Sequence, residues 1–340
     1  MADKKGLLER LETDVVLVAE GYLFELERRG YLQAGPFVPE VVLDNPEAVL
    51  ALHQEFLAAG SEVMLALTYY AHRDKLRVIG REGELETLNR QAVQLARQAA
   101  EGSDALVAGD VSNTWVYDDT DADTARHVRA IYEEQIGWAA DEGVDFVVAE
   151  TLSYLGEGLI ALEVSHDFGL PAVITLGSAE ETTRDGYGFA DACRMLADEG
   201  AEVVGLNCSR GPATILPLMR RIRAAVPGHV AAVPVPYRTT PAEPTFQSLH
   251  DRGRRAFPIG LDPFTMTRFD VADFAVEARD MDIRYLGLCC GAAPHHIRAM
   301  AEALGRTVPA SRYSPDMSLH PMLGADVAER DADYLDDWKD

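Results

Sequence analysis

Eight short apolar runs, most of them followed by an amphipathic stretch, predict an α/β chain folded as a (β/α)8 barrel of the TIM type. The runs are rich in Val, Leu, Ile and Ala without polar alternation, as parallel strands buried on both faces require. After the first run the chain reads AEGYLFE, which is no glycine-rich phosphate turn, so a closed barrel is preferred over a doubly wound open sheet.

The first strand is expected in VVLVAE (Val15 to Glu20) and the second in EVMLALTYY (Glu62 to Tyr70). Between them PEAVLALHQEFLAAG has helical apolar spacing and closes on Gly60, where a left-handed C-cap belongs. The amphipathic stretch ETLNRQAVQLARQAAEG leads to ALVAGDVS (Ala105 to Ser112), and TARHVRAIYEEQIGWAADEG leads to DFVVAETL (Asp145 to Leu152). PAVITLGS (Pro171 to Ser178) is followed by the helix GFADACRMLADEG and by EVVGLNCS (Glu202 to Ser209). HVAAVPVPY (His229 to Tyr237) and RYLGLCCG (Arg284 to Gly291) complete the eight. The long connection after the seventh strand, residues 239–270, is expected to supply part of a lid. Residues 1–306 form the expected barrel. Residues 307–340 form an acidic tail, either solvated or an arm that packs on another subunit of a homo-oligomer.

The net charge is −25, from 56 acidic against 31 basic residues, and Lys4, Lys5, Lys75 and Lys339 are the only lysines. Such a surface repels polyanions, so nucleic acid is excluded as a partner. No apolar run approaches the roughly 20 residues of a membrane span, and the charged N-terminus does not resemble a leader. Four cysteines in so long a chain read as reduced thiols, hence a cytoplasmic protein.

In a barrel of this type, chemistry gathers where strands end at the C-terminal face. Those ends carry Glu20, Tyr69 and Tyr70, Asp110 and Ser112, Glu150, Asn207 and Cys208, Tyr237, and Cys289 with Cys290. Cys208 ends strand six and the Cys289–Cys290 pair ends strand eight, so three sulfurs can face one another across the mouth. Three thiolates with an open fourth position make a catalytic zinc site. Cys193, inside a helix, reads as an ordinary buried apolar residue.

GLNCS followed by LGLCCGAAPHHIRAMAE resembles the zinc-dependent homocysteine S-methyltransferases. LFELERRGYLQAGPFVPE, NPEAVLALHQEFLAAGSEVMLALTYYAHRDKL and ALVAGDVSNT extend the resemblance to the betaine–homocysteine branch over nearly the whole chain. The resemblance implies that Cys208, Cys289 and Cys290 hold Zn2+. It implies a cytoplasmic enzyme that moves a methyl group from a small onium donor, betaine-like or sulfonium, to homocysteine, giving methionine. Glu150 would take the homocysteine ammonium, Tyr70 would stand near zinc, and Phe37 would present a ring to the onium group. The same chemistry with S-methylmethionine or another thiol or selenol, or a non-catalytic zinc barrel that binds methylated osmolytes, remains open.

The sequence departs from the family at several of these places. Ala19-Glu20-Gly21 stands for Asp-Gly-Gly, and Glu20 and Gly21 are expected at the substrate, although the Glu20 side chain should start on the opposite face. Phe37 stands for tryptophan and Thr151 for an aromatic residue beside Glu150. These two changes weaken the face offered to a trimethylammonium group and favour a sulfonium or bulkier donor. His295 and His296 are expected as solvent-facing residues at a helix start.

Overall fold

The computed structural model describes residues 4–320. Most of the expected tail, residues 321–340, lies outside the described residues. The eight barrel strands are β1 (Val16–Ala19), β2 (Val63–Leu65), β3 (Leu106–Ser112) and β4 (Phe146–Leu152), then β5 (Ala172–Leu176), β6 (Val203–Asn207), β7 (His229–Val233) and β8 (Tyr285–Leu288). All neighbours are parallel, and β1 pairs with both β2 and β8, which closes the barrel. The strands are buried along their whole length apart from the partly exposed His229 and Thr151, which explains their unbroken apolar runs.

Several strands end earlier than the sequence suggests. β2 stops at Leu65 because the chain folds back on itself: Thr68 N donates to Ala66 O at 2.8 Å and Thr68 Oγ1 to Asp110 O at 2.6 Å. β7 stops at Val233, where Pro234 and Pro236 remove two ladder donors. Glu20, Tyr69, Tyr70, Cys208, Tyr237, Cys289 and Cys290 therefore lie one or a few positions past their strands, on short turns, whereas Asp110, Ser112, Glu150 and Asn207 are the last or near-last residues of the ladder itself.

The helices follow their predicted faces. Pro46–Ala59 begins with Pro at its first position and ends on Gly60 at φ 108. Leu85–Ala100 buries Leu85, Leu88, Ala92, Val93, Ala96 and Ala99, one stripe at helical spacing, against the barrel wall. Arg268–Asp280 is capped by Thr267, whose hydroxyl accepts from Asp270 N. The connection after β7 reaches the mouth, where Phe246 N donates to Ser209 O at 2.7 Å. Residues 307–320 make two 3-10 turns; Arg298 reaches Ala310 O from the last long helix, Pro294–Ala303. Among the described residues, no helix is long and apolar enough to cross a membrane.

Candidate active site

Three sulfurs lie at the centre of the mouth. Cys208 follows β6 directly, and Cys289 and Cys290 follow β8. Cys208 Sγ is 3.6 Å from Cys290 Sγ, Cys289 Sγ is 3.8 Å from Cys290 Sγ, and all three lie within 4.8 Å of one another. None of the three is in a disulfide. A tetrahedral ion with metal–sulfur bonds of about 2.3 Å needs sulfurs about 3.8 Å apart, so the spacing suits a shared metal ion. Hydrogen bonds from the other two thiols hold Cys208 well below the ordinary thiol range. The same contacts, then burial, push Cys289 well above it. Cys193 is buried in its helix, as expected, and burial alone raises its thiol.

Two glycines allow the turn that brings both adjacent cysteines inward. Gly291 sits at φ 94, a left-handed conformation that other side chains rarely adopt, and a Cβ there would run into the Tyr237 ring. Gly21 packs so closely on the same turn that a Cβ would stand 2.7 Å from Ala292 Cβ and 2.9 Å from Cys289 O. Arg28 braces the arrangement from outside. Its guanidinium donates to Tyr237 Oη at 2.7 Å and to Gly291 O at 3.3 Å.

Beside the sulfurs is a carboxyl cluster. Glu20, Glu150 and Cys289 each bring a ligand atom within 4.8 Å of the others. The Glu20 side chain thus faces inward, against the expectation from strand alternation, because β1 has already ended at Ala19 and the chain is turning into the helix Tyr22–Arg28. Asn207 Nδ2 donates to Glu150 Oε2 and, at 3.0 Å, to Thr151 Oγ1. Burial drives Glu20 up to about 8. Burial first, then the charge of neighbouring acids, raises Glu150 and Asp110 well above the usual carboxylate range.

Above the sulfurs opens a cavity of about 420 Å³ whose wall includes Cys208 and Cys290. Its wall is largely aromatic: Phe24, Phe37, Tyr69, Tyr70, Trp115, Phe246 and Phe257. Phe37 stacks on Phe24 with ring centroids 5.1 Å apart, and Tyr69 and Tyr70 lie 4.3 Å apart. Trp115 Nε1 donates to Tyr70 Oη at 2.5 Å, and Lys75 Nζ sits 4.5 Å from the Tyr70 ring centre. Thr151 is also on the wall, its backbone N–H tied to Asn207 Oδ1 at 2.8 Å.

Backbone strain marks the same place. Phe37, Tyr70, Trp115, Thr151, Cys208 and Ser209 all have φ between 49° and 62°, and all six line this cavity. Such conformations cost of order 1–3 kcal/mol each and persist where surrounding structure enforces them, typically at functional sites. The structure therefore brings Cys208, Cys289, Cys290, Glu20, Gly21, Glu150, Tyr70, Phe37 and Thr151 to one end of the barrel. It adds Phe24, Trp115, Phe246 and Phe257, which sit on loops and helix starts and carry no spacing signal. Asp110 and Asn207 were visible as strand ends, but nothing in the sequence set them apart.

The homocysteine S-methyltransferase family model matches residues 20–304, a range that holds every site residue just described. The chain belongs to the homocysteine S-methyltransferase family. It is 37% identical over 317 residues to betaine–homocysteine S-methyltransferase 1 of Xenopus laevis, covering 88% of this chain and 76% of the relative. It is 35% identical over 313 residues to the S-methylmethionine–homocysteine S-methyltransferase BHMT2 of Rattus norvegicus, covering 88% and 82%. In fold it matches the metallated homocysteine methyltransferase MmuM of Escherichia coli at a TM-score of 0.68 and 20% identity, covering 86% of this chain and 96% of that one.

Proposed function

We propose that this homocysteine S-methyltransferase moves a methyl group from a small onium donor to the sulfur of homocysteine, giving methionine. The observation that carries the reading is the tri-thiol cluster at the base of an aromatic-walled cavity. Cys208, Cys289 and Cys290 are the residues that would hold zinc, since soft sulfur ligands of this number and spacing suit it. When bound, zinc would supply charge that keeps an incoming thiol deprotonated at neutral pH.

The remaining work belongs to the chain. Glu150, held by Asn207, would accept the homocysteine ammonium, with Glu20 beside it. Gly21 would let the cysteine turn approach close enough to leave that pocket open. Phe37, Tyr70 and the other rings would face the cationic nitrogen or sulfur of the donor, by cation–π attraction. Thr151 would border the methyl-transfer path. The homocysteine sulfur forms a bond to the methyl carbon while the carbon–onium bond breaks. The bonding pair stays on the leaving amine or thioether, which departs neutral, so no proton has to be delivered. Aromatic walls that exclude water and fix the line of attack suffice. We read the protein as a cytoplasmic homo-oligomer, with the acidic residues 321–340 as the segment available to a second subunit.

A turnover screen of zinc-loaded protein, pairing homocysteine with glycine betaine, other betaines, dimethylsulfoniopropionate and S-methylmethionine, tests the reading. Methionine should form with at least one onium donor and depend on metal. Absence of methionine with every donor would overturn it.

A further inference from the structure

The turn that carries Cys208 is held in an unfavourable shape. Cys208 and Ser209 are consecutive left-handed residues, at φ 53 and φ 49, and neither is glycine. Such a pair persists only where its surroundings over-determine it. On the β7 side the turn has three anchors: Val235 N donates to Arg210 O at 3.0 Å, Phe246 N to Ser209 O at 2.7 Å, and Gly211 N to Thr239 Oγ1 at 3.1 Å. On the opposite side lies the loop after β5, whose Gly177, Ser178 and Ala179 border the aromatic cavity together with Cys208 and Ser209. Among the described residues, one side chain makes the only hydrogen bonds between residues 208–211 and that loop. Arg210 Nη2 donates to Ala179 O at 2.8 Å and to Glu180 O at 3.0 Å.

Arg210 is a costly choice for an ordinary brace. It is only 5% exposed, its Nε is buried without an acceptor, and among the described residues its guanidinium is spent on two backbone carbonyls and on no acid. A buried cation without a carboxylate partner lowers stability, so this one is explained by the geometry it fixes. Both bonds come from one nitrogen of a rigid planar fork, so the loop and the turn cannot part without breaking the two together. If the tie is cut, Cys208 and Ser209 can relax towards ordinary backbone angles. Cys208 Sγ, now 3.6 Å from Cys290 Sγ, would then swing out of the sulfur cluster. Cys289 and Cys290 would stay, because Gly21 and Arg28 grip their turn independently.

We infer that Arg210 is a positioning residue that keeps Cys208 in the metal-binding set, by tying its strained turn to the loop that walls the aromatic cavity. The inference rests on the reading of the three sulfurs as a zinc site and deepens it: metal retention depends on a wall of the donor cavity as well as on the three cysteines.

Competition for zinc between the full-length protein and a chromophoric chelator tests this with Arg210→Met, which keeps the bulk and removes every donor. The wild type should hold about one zinc per chain. In Arg210→Met the zinc dissociation constant should rise about tenfold or more, the size of effect carried by contacts that support metal ligands. Cobalt(II) in place of zinc should show the sulfur-to-metal absorption of three thiolates in the wild type and of two in the variant. Arg210→Lys keeps the charge but lacks the planar fork, so its zinc constant should rise about three- to tenfold. That variant decides alone if the methionine variant fails to fold. A melting temperature that falls while the zinc constants stay within about twofold of the wild type overturns the inference, because a merely structural brace would behave so. A three-thiolate cobalt spectrum in Arg210→Met overturns it too. Wild-type protein that binds no zinc overturns the zinc reading, and this inference with it.

Discussion

Three sulfurs within 4.8 Å of one another form a single ligand set with no spare member, so each of the three cysteines is expected to be indispensable. Cys208→Ala, Cys289→Ala or Cys290→Ala should reduce zinc from about one per chain to a small fraction of that and abolish methionine formation. Cys193→Ala, at a site with no second sulfur, should keep both. Metal analysis of the four purified variants decides. Glu20 yields a second residue-level prediction, for metal-free protein. Its folded pKa of about 8 lies above an unfolded value near 4.5, so the folded state holds the extra proton between those limits. That contribution is complete below about pH 4.5 and is lost as pH rises to 8, a loss of up to several kcal/mol. Glu20→Gln should remove most of it, and melting the two proteins at pH 5 and pH 8 would show the difference only at the higher pH. The donor cavity gives a third. Trp115→Ala or Phe246→Ala removes a ring worth about 0.5–2 kcal/mol to a cation, so the donor KM should rise roughly 2- to 30-fold. The homocysteine KM should stay within twofold. The same rings share the cavity wall with Thr151, so relative kcat/KM for betaine and sulfonium donors reports how far they compensate for the absence of an aromatic side chain there.

Among the elements, the turn after β8 is the one that cannot be moved. It is gripped by Gly21 on one side and by Arg28 and Tyr237 on the other. Gly21→Ala places a methyl where Ala292 and the Cys289 carbonyl already are, and should displace the cysteine pair. Zinc content should fall by more than half while the circular-dichroism spectrum stays that of the wild type. Elsewhere the helices bury histidines in neutral form. His53, on the helix Pro46–Ala59, lies 4.6 Å from the Tyr22 ring without a hydrogen bond, and burial drives it down to about 3. His296, expected at the surface, is instead buried: its Nδ1 accepts from Ala293 N at 3.2 Å, and burial holds it at about 3. The unfolded chain protonates such groups near pH 6.5 and the folded one does not. Their stability is therefore complete above about pH 6.5 and lost as pH falls towards 3. His53→Leu should flatten the acid limb of a melting-temperature profile between pH 4 and 6.5. An unchanged limb would mean that other groups govern it.

Taken as a whole, the molecule carries −25 charges, and its few basic groups are shared among many acids. Arg90 reaches Glu86, Asp141 and Glu142, and Arg129 reaches Glu133, Glu163 and Asp167. Exposed pairs contribute little each, whereas unscreened repulsion among the excess acids opposes the compact state. Raising sodium chloride from about 0.01 M to 1 M shortens the screening length from about 30 Å to about 3 Å. The melting temperature should then rise by several degrees; a fall would show that the pairs outweigh the repulsion.

The amino-acid sequence by itself determined the barrel, because runs buried on both faces alternating with one-sided helices leave few other ways to hide their apolar surface. It also determined the three sulfurs, since adjacent cysteines before a glycine at one strand end and a third at another have no use in an ordinary core. Strand alternation failed at Glu20, because the strand stops one residue earlier and a turn, not the pleat, aims that side chain. The aromatic wall, the left-handed residues lining it and the depth of Asp110 were decided only in three dimensions. Phe24, Trp115, Phe246 and Phe257 lie far apart in sequence, on segments without periodicity, and loop closure alone brings them together. Asp110 looks like any polar strand end until the register sets it one inward-facing step deeper than Glu150.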